Sequence, residues 1–233
     1  MKPSRDSDVT ETKTAFKRVG AVRFAAALSI DEVERLRLGL KADLAGRPGK
    51  RLTGIPGLSS LLTDGSPAAI AANLSSASVT PVRAVAFDKT QDSNWAVAWH
   101  QDRTIVVRQI AEVDGFGPWS TKDGLQHVAP PFEVLERMIT LRIHLDDCGD
   151  DNAPLDVATG SHRLGRVPAD EAAATAMSMP SLTCLADAGD IWAYSTPILH
   201  RSSRSAGLRR RRVLQIDYSP DTLPPPLEWL GVA

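Results

Sequence analysis

The chain has 233 residues, 42% of them hydrophobic and 24% charged, which suits one soluble domain with a substantial buried core. A formal net charge of −1 gives no global reason to expect nucleic acid or an anionic membrane as partner. No apolar run reaches membrane-spanning length and the polar start has no apolar segment of signal type. Two cysteines cannot build a disulfide framework or a cysteine-rich zinc site, so a cytoplasmic protein is expected.

Residues 1–15 (MKPSRDSDVTETKTA) are polar and aperiodic and read as a disordered leader to a single domain over 16–233. Within it, 16–78 reads as a helical flank. Ser29 and Glu32 have capping-box spacing, and Ile30, Val33, Leu36, Leu40 and Leu44 follow as a helical apolar stripe that Gly46 and Pro48 end. A second helix is expected from Ser66-Pro67 to about Leu74. From Val79 the texture changes to short Val-rich runs, and Val79–Phe87, Trp95–His100 and Thr104–Ile110 read as strands. Residues 111–131, punctuated by Gly and Pro and carrying Trp119 and His127, read as a long functional loop, a lid over a site. Strand signals resume at Met138–Leu145, Ser181–Leu185, Ile191–Tyr194 and Arg211–Tyr218, with an alanine-rich helix over Pro168–Met177. Helices first and many short strands afterwards favour an α+β protein on a β-sandwich or small barrel. Leu223-Pro224-Pro225-Pro226 cannot continue a central strand, so the core is expected to span about 79–218, with a short Pro-rich tail.

His100 and Asp102 stand two residues apart, so on a strand or its extension they project from one face. A second histidine from a distant strand would complete two imidazoles and one carboxylate on one face of a divalent ion, leaving other positions open, and His200 is the candidate. By itself His-x-Asp is a weak signal; a surface histidine beside a solvated aspartate is the commoner meaning.

An ordered set of motifs accompanies the pair: Trp99-His100-Gln101-Asp102, Leu145-Asp146-Asp147, Asn152-Ala153-Pro154-Leu155, Gly160-Ser161-His162-Arg163, Gly189-Asp190, and His200 with Ser202 and Arg211. Together they resemble the phytanoyl-CoA dioxygenase-like branch of the Fe(II)- and 2-oxoglutarate-dependent oxygenases, over about Trp95 to Tyr218. The resemblance implies a double-stranded β-helix, the cupin-like jelly roll, with flanking N-terminal helices. It implies His100, Asp102 and His200 as iron ligands and Arg211, eleven positions beyond His200, as the anchor of the distal carboxylate of 2-oxoglutarate. Ser202 and Arg142 are the further expected contacts of that co-substrate. Asp102 separates the chain from related halogenases, which have a small residue there. One departure is Ala153, where the family commonly has glycine.

The implied reaction consumes O2 and 2-oxoglutarate, releases succinate and CO2, and hydroxylates an aliphatic carbon of a small-molecule substrate. The competing reading is a cupin-like metal-binding sensor without turnover; Arg211 at the family spacing argues against it. A third, weaker one is an isomerase or hydrolase using another divalent ion. His144 and His162 read as hydrogen-bonded structural residues, and Trp95 and Trp99 as core or cavity wall. In the run Arg209–Arg212, strand alternation turns Arg211 inward and leaves its neighbours to solvent or structural pairing, so no nucleic-acid site is expected.

Overall fold

The computed structural model describes residues 5–54, 57, 59–207 and 209–232. The first part interleaves helices and short strands: α1 (Arg5–Val19), β1 (Ala21–Phe24), α2 (Ile30–Gly39), β2 (Gly49–Leu52), α3 (Ser59–Asp64) and α4 (Ser66–Ser75). There follow β3 (Thr80–Lys89), β4 (Val97–His100), β5 (Ile105–Val107), β6 (Trp119–Lys122), β7 (Leu125–Val128), α5 (Phe132–Arg137) and β8 (Ile139–His144). The chain continues through β9 (Leu155–Ala158), α6 (Ala172–Met177), β10 (Ser181–Cys184), β11 (Ile191–Ser195), β12 (His200–Ser202) and β13 (Arg211–Ser219).

Among the described residues three antiparallel sheets form. A large one has the order β1-β11-β8-β13-β3-β2, a smaller one β10-β9-β12-β4, and a third β5-β7-β6. The large and smaller sheets are the two walls of a jelly roll. Period-two alternation divides the large sheet cleanly. Its outward residues, among them Ala84, Ala86, Leu141, Ile143, Leu214 and Ile216, join Leu36, Leu62, Ala71 and Leu74 of the helices in one core cluster. Its inward face is polar for a buried surface, with Lys89, Arg142, His144, Arg211, Gln215 and Asp217 all buried. A second cluster closes part of the interior with Leu155, Val157 and Cys184 of the smaller sheet against Trp192 and Tyr194 of the large one. Burying so many polar groups is costly without partners, so this face is built for chemistry rather than packing.

Ser29 caps α2 with the full capping box, its hydroxyl accepting from Glu32 N while Glu32 accepts from Ser29 N at 2.8 Å. α4 begins at Ser66 with Pro67 in its first turn. The structure corrects four expectations. Arg5–Val19 is helical rather than a disordered leader (residues 1–4 lie outside the described part), because tertiary contacts hold its end. Phe16 is buried in the core, and the carbonyls of Lys17 and Val19 accept from His162 Nε2 and Gly160 N. Residues 111–131 are not an irregular loop. They contain the hairpin β6–β7, whose turn residues Asp123 and Gly124 have φ of 52° and 77°, the positive pair that a two-residue hairpin turn requires. The helix expected from Pro168 begins at Ala172. Beyond Ser219 the tail is part of the core, since Leu223, Leu227 and Val232 are buried and Trp229 bridges to Val107.

Gly189-Asp190 is a structural junction. A Cβ on Gly189, at φ 94°, would stand 2.8 Å from Leu28 O. The Asp190 carboxylate accepts from Ala26 N, Asp187 N and Arg23 Nε, each at 2.8 Å, tying β1 to the start of β11.

Candidate active site

β4 and β12 pair antiparallel with His100 directly opposite His200. Register therefore sets two imidazoles side by side, their ring centroids 4.2 Å apart. Asp102, two residues beyond β4, completes the group, and the potential ligand atoms of His100, Asp102 and His200 lie within 4.8 Å of one another. In both histidines Nδ1 faces a carbonyl two residues upstream, Ala98 O at 2.8 Å and Ile198 O at 2.9 Å. A carbonyl only accepts, so Nδ1 carries the proton and Nε2 presents a lone pair. Burial and the adjacent His100 push the His200 pKa down to about 4, so the ring is neutral near pH 7.

Asp102 is held by Arg83, whose Nη2 donates to Oδ2 at 3.0 Å. Burial works against its ionised form, but Arg83 and the two imidazoles outweigh it and bring the pKa to about 2. Arg83 also pairs with buried Asp217, which accepts from Thr140 Oγ1 at 3.0 Å. Gln101 turns the other way. Its Nε2 donates to Gly165 O at 3.0 Å and Pro197 O at 2.8 Å, and its Oε1 accepts from Val167 N at 2.9 Å. One buried amide thus ties the triad's first segment to the turn that delivers His200. Free imidazole lone pairs and an ionised carboxylate converging on one point fit a divalent metal ion.

A cavity of about 560 Å³ opens over these residues. Its far end is cationic. In the basic run, Arg209 pairs with Asp151, Arg210 with Asp88, and Arg212 with Asp146. Arg211 has no acidic partner among the described residues. It points inward, is 2% exposed, and its Nε and Nη1 have no hydrogen-bond partner. Burial and nearby Arg142 lower its pKa to about 10, so it stays charged. A buried, incompletely bonded guanidinium fits a carboxylate ligand. Arg142 lines the same cavity, donating from Nη1 to Gln215 Oε1 at 3.1 Å, with Nε unpartnered. Ser202 lines it as well, its hydroxyl donating to Ala153 O at 3.1 Å. Ala153 adopts φ 52°, the left-handed region that glycine favours, so the expected turn forms around alanine.

All six sequence-picked residues line or border one cavity. Sequence reasoning missed Arg83, Lys89, Gln101 and Gln215. Arg83 and Lys89 had a usable signal, since strand alternation puts them on one face with the apolar Val85 and Phe87, which a solvent-facing row would not carry. His127 is buried on β7, its Nδ1 donating to Leu125 O at 3.0 Å, and is not among the cavity-lining residues. The β6–β7 hairpin instead reaches the cavity mouth through Asp123, which pairs with Arg51 of β2 at 2.7 Å. His162 is hydrogen-bonded to Lys17 O at 3.2 Å as a structural residue, whereas buried His144 has no partner on either nitrogen. Trp95 forms cavity wall, and Trp99 lies beneath the Arg201 guanidinium.

The family model described as phytanoyl-CoA dioxygenase (PhyH) matches residues 16–213. The chain belongs to this family. No curated protein matches it. Among solved structures, it is similar to the epimerase SnoN in complex with Fe3+, alpha ketoglutarate and nogalamycin RO, with TM-score 0.70 and 18% identity over 93% of this chain and 85% of that one. It is similar to the alpha ketoglutarate dependent carbocyclase SnoK from nogalamycin biosynthesis, with TM-score 0.70 and 16% identity over 94% and 87%. HygX from Streptomyces hygroscopicus, with nickel and 2-oxoglutarate bound, has TM-score 0.64 and 16% identity over 94% and 88%. At these identities the likeness is one of fold.

Proposed function

We propose that this member of the phytanoyl-CoA dioxygenase family is a cytoplasmic Fe(II)- and 2-oxoglutarate-dependent dioxygenase that hydroxylates an aliphatic carbon of a small molecule. The observation that carries the reading is the coincidence, in one cavity, of the His100–Asp102–His200 group with a buried arginine that has no acidic partner among the described residues. Iron held there with 2-oxoglutarate and O2 would supply the oxidation, one oxygen atom of O2 ending in succinate as CO2 leaves and the other in the new hydroxyl of the product.

The chain's own residues do the positioning. His100 and His200 bind the metal through Nε2 and Asp102 through a carboxylate oxygen, kept ionised by Arg83. Arg211 takes the distal carboxylate of 2-oxoglutarate, with Ser202 and Arg142 beside it. Phe87, Trp95, Val97 and Leu155 give the cavity its apolar wall, which limits water around the reacting carbon. Asp102, where the related halogenases have a small residue, supports oxygen transfer over halogen transfer. Similar folds also carry epimerase and carbocyclase chemistry, so hydroxylation is the outcome a product analysis must test.

The deciding experiment is succinate formation from 2-oxoglutarate with Fe(II), ascorbate and O2, followed by a substrate panel scored for stimulated release. Absence of any turnover, uncoupled turnover included, together with no 2-oxoglutarate signature in anaerobic Fe(II) spectra, would leave the non-catalytic sensor reading in its place.

A further inference from the structure

β4 has little strand-pairing support for a strand that carries a site residue. Among the described residues it lies at the edge of its sheet and pairs only with β12, and its register shifts between the His100–His200 and Val97–Ser202 pairs. Such an irregularity interrupts the ladder, so strand pairing alone leaves the spacing of the two imidazoles loosely fixed.

A side chain from the opposite sheet reaches across this weak point. Lys89 ends β3, is 2% exposed, and donates from Nζ to Trp95 O at 2.7 Å, Ser203 O at 2.8 Å and Ser202 Oγ at 3.3 Å. Trp95 leads into β4, and Ser203 follows β12 directly. Next to them, Asn94 and Ser205 exchange two hydrogen bonds, of 2.7 and 2.8 Å, which close the same seam. All three ammonium protons end on neutral oxygens, and no carboxylate pairs with Lys89 among the described residues. It stands opposite Arg211 in the ladder, and burial with Arg211 and Arg142 lowers its pKa to about 7. Its charged form is disfavoured there, which makes a lysine an expensive filler, so its value lies in its directed bonds.

We propose that Lys89 is a positioning residue, a strap from the large sheet that fixes how far His100 stands from His200. Its consequence for metal binding rests on the functional reading above; the strap itself does not.

Amide hydrogen exchange on the metal-free full chain tests it directly. In Lys89→Met, amides of 97–100 and 200–202 are expected to exchange about tenfold faster or more, the loss of a buried hydrogen bond, while β8, β11 and β13 keep their protection. Lys89→Gln, which keeps two donors on a shorter side chain, should fall between, and serves alone if the methionine variant does not fold. Cobalt(II) titration of the same proteins should show weaker binding in the order wild type, Gln, Met. Unchanged exchange in β4 and β12, or a uniform rise across both sheets, overturns the strap. A wild-type protein that holds no cobalt(II) overturns the metal reading instead, and the exchange comparison still decides Lys89.

Discussion

His100 and His200 come together because β4 and β12 pair at that point, and each ring is aimed by its own strand's carbonyl. Arg211 parts from its three arginine neighbours in its pairing: each neighbour finds a carboxylate on the outside, and the inward one finds none among the described residues. Two substitutions separate these roles. His100→Ala should abolish metal binding in a cobalt(II) or iron(II) titration. Arg211→Ala should leave metal affinity intact and raise the 2-oxoglutarate concentration for half-saturation about 100-fold, roughly 3 kcal/mol for a charge-assisted pair. Arg211→Lys should recover little, because a point charge does not reproduce the guanidinium fork. Equal metal affinity in His100→Ala and wild type, or unchanged 2-oxoglutarate saturation in Arg211→Ala, removes the corresponding assignment.

Among the elements, the β6–β7 hairpin shows what pattern reading misses when polar residues dominate. Its strands, WSTK and LQHV, carry few apolar alternations, and the Asp123-Gly124 pair between them was the available sign. β12 is three residues long and owes its strand character to neighbours on both sides, so no local pattern announces it. α1 is similar, a polar helix held by Phe16 and by contacts at its end. α2 and α4, with a capping box and a first-turn proline, were legible because their signals are local. The hairpin turn gives a prediction. Gly124→Ala, at φ 77°, should lower stability by about 1 kcal/mol in a denaturant titration, whereas Gly124→Asn should cost clearly less because asparagine tolerates the left-handed region. Equal losses for the two would show that φ is not what the turn demands.

At the scale of the whole molecule, carboxylate–arginine ties join the helical flank to the sheets. Asp146 accepts from Arg212 Nε at 2.9 Å and from Arg37 Nη2 of α2 at 3.0 Å. Burial alone would raise its pKa, yet the bonds and charges of Arg212 and Arg37 prevail and hold it below the usual carboxylate range. A depressed folded pKa stabilises above the unfolded value, about 4, and the benefit is lost as pH falls through the lower folded one. Asp146→Asn should therefore cost about 2 kcal/mol at pH 7 and progressively less below about pH 4, read as converging melting temperatures. A pH-independent difference would reject the linkage. The sequence by itself determined the helix caps, the long strands, the inward turn of Arg211 and the choice of His100, Asp102 and His200 as one candidate group, because each rests on local spacing or on an ordered motif set. Only the tertiary structure decided the rest: that His100 stands opposite His200, that Arg83 and Gln101 hold the triad, that Lys89 crosses between the sheets, and that the tail completes the core. Those facts depend on which strands become neighbours, and pairing between residues a hundred positions apart is set by the burial of whole faces rather than by any local pattern.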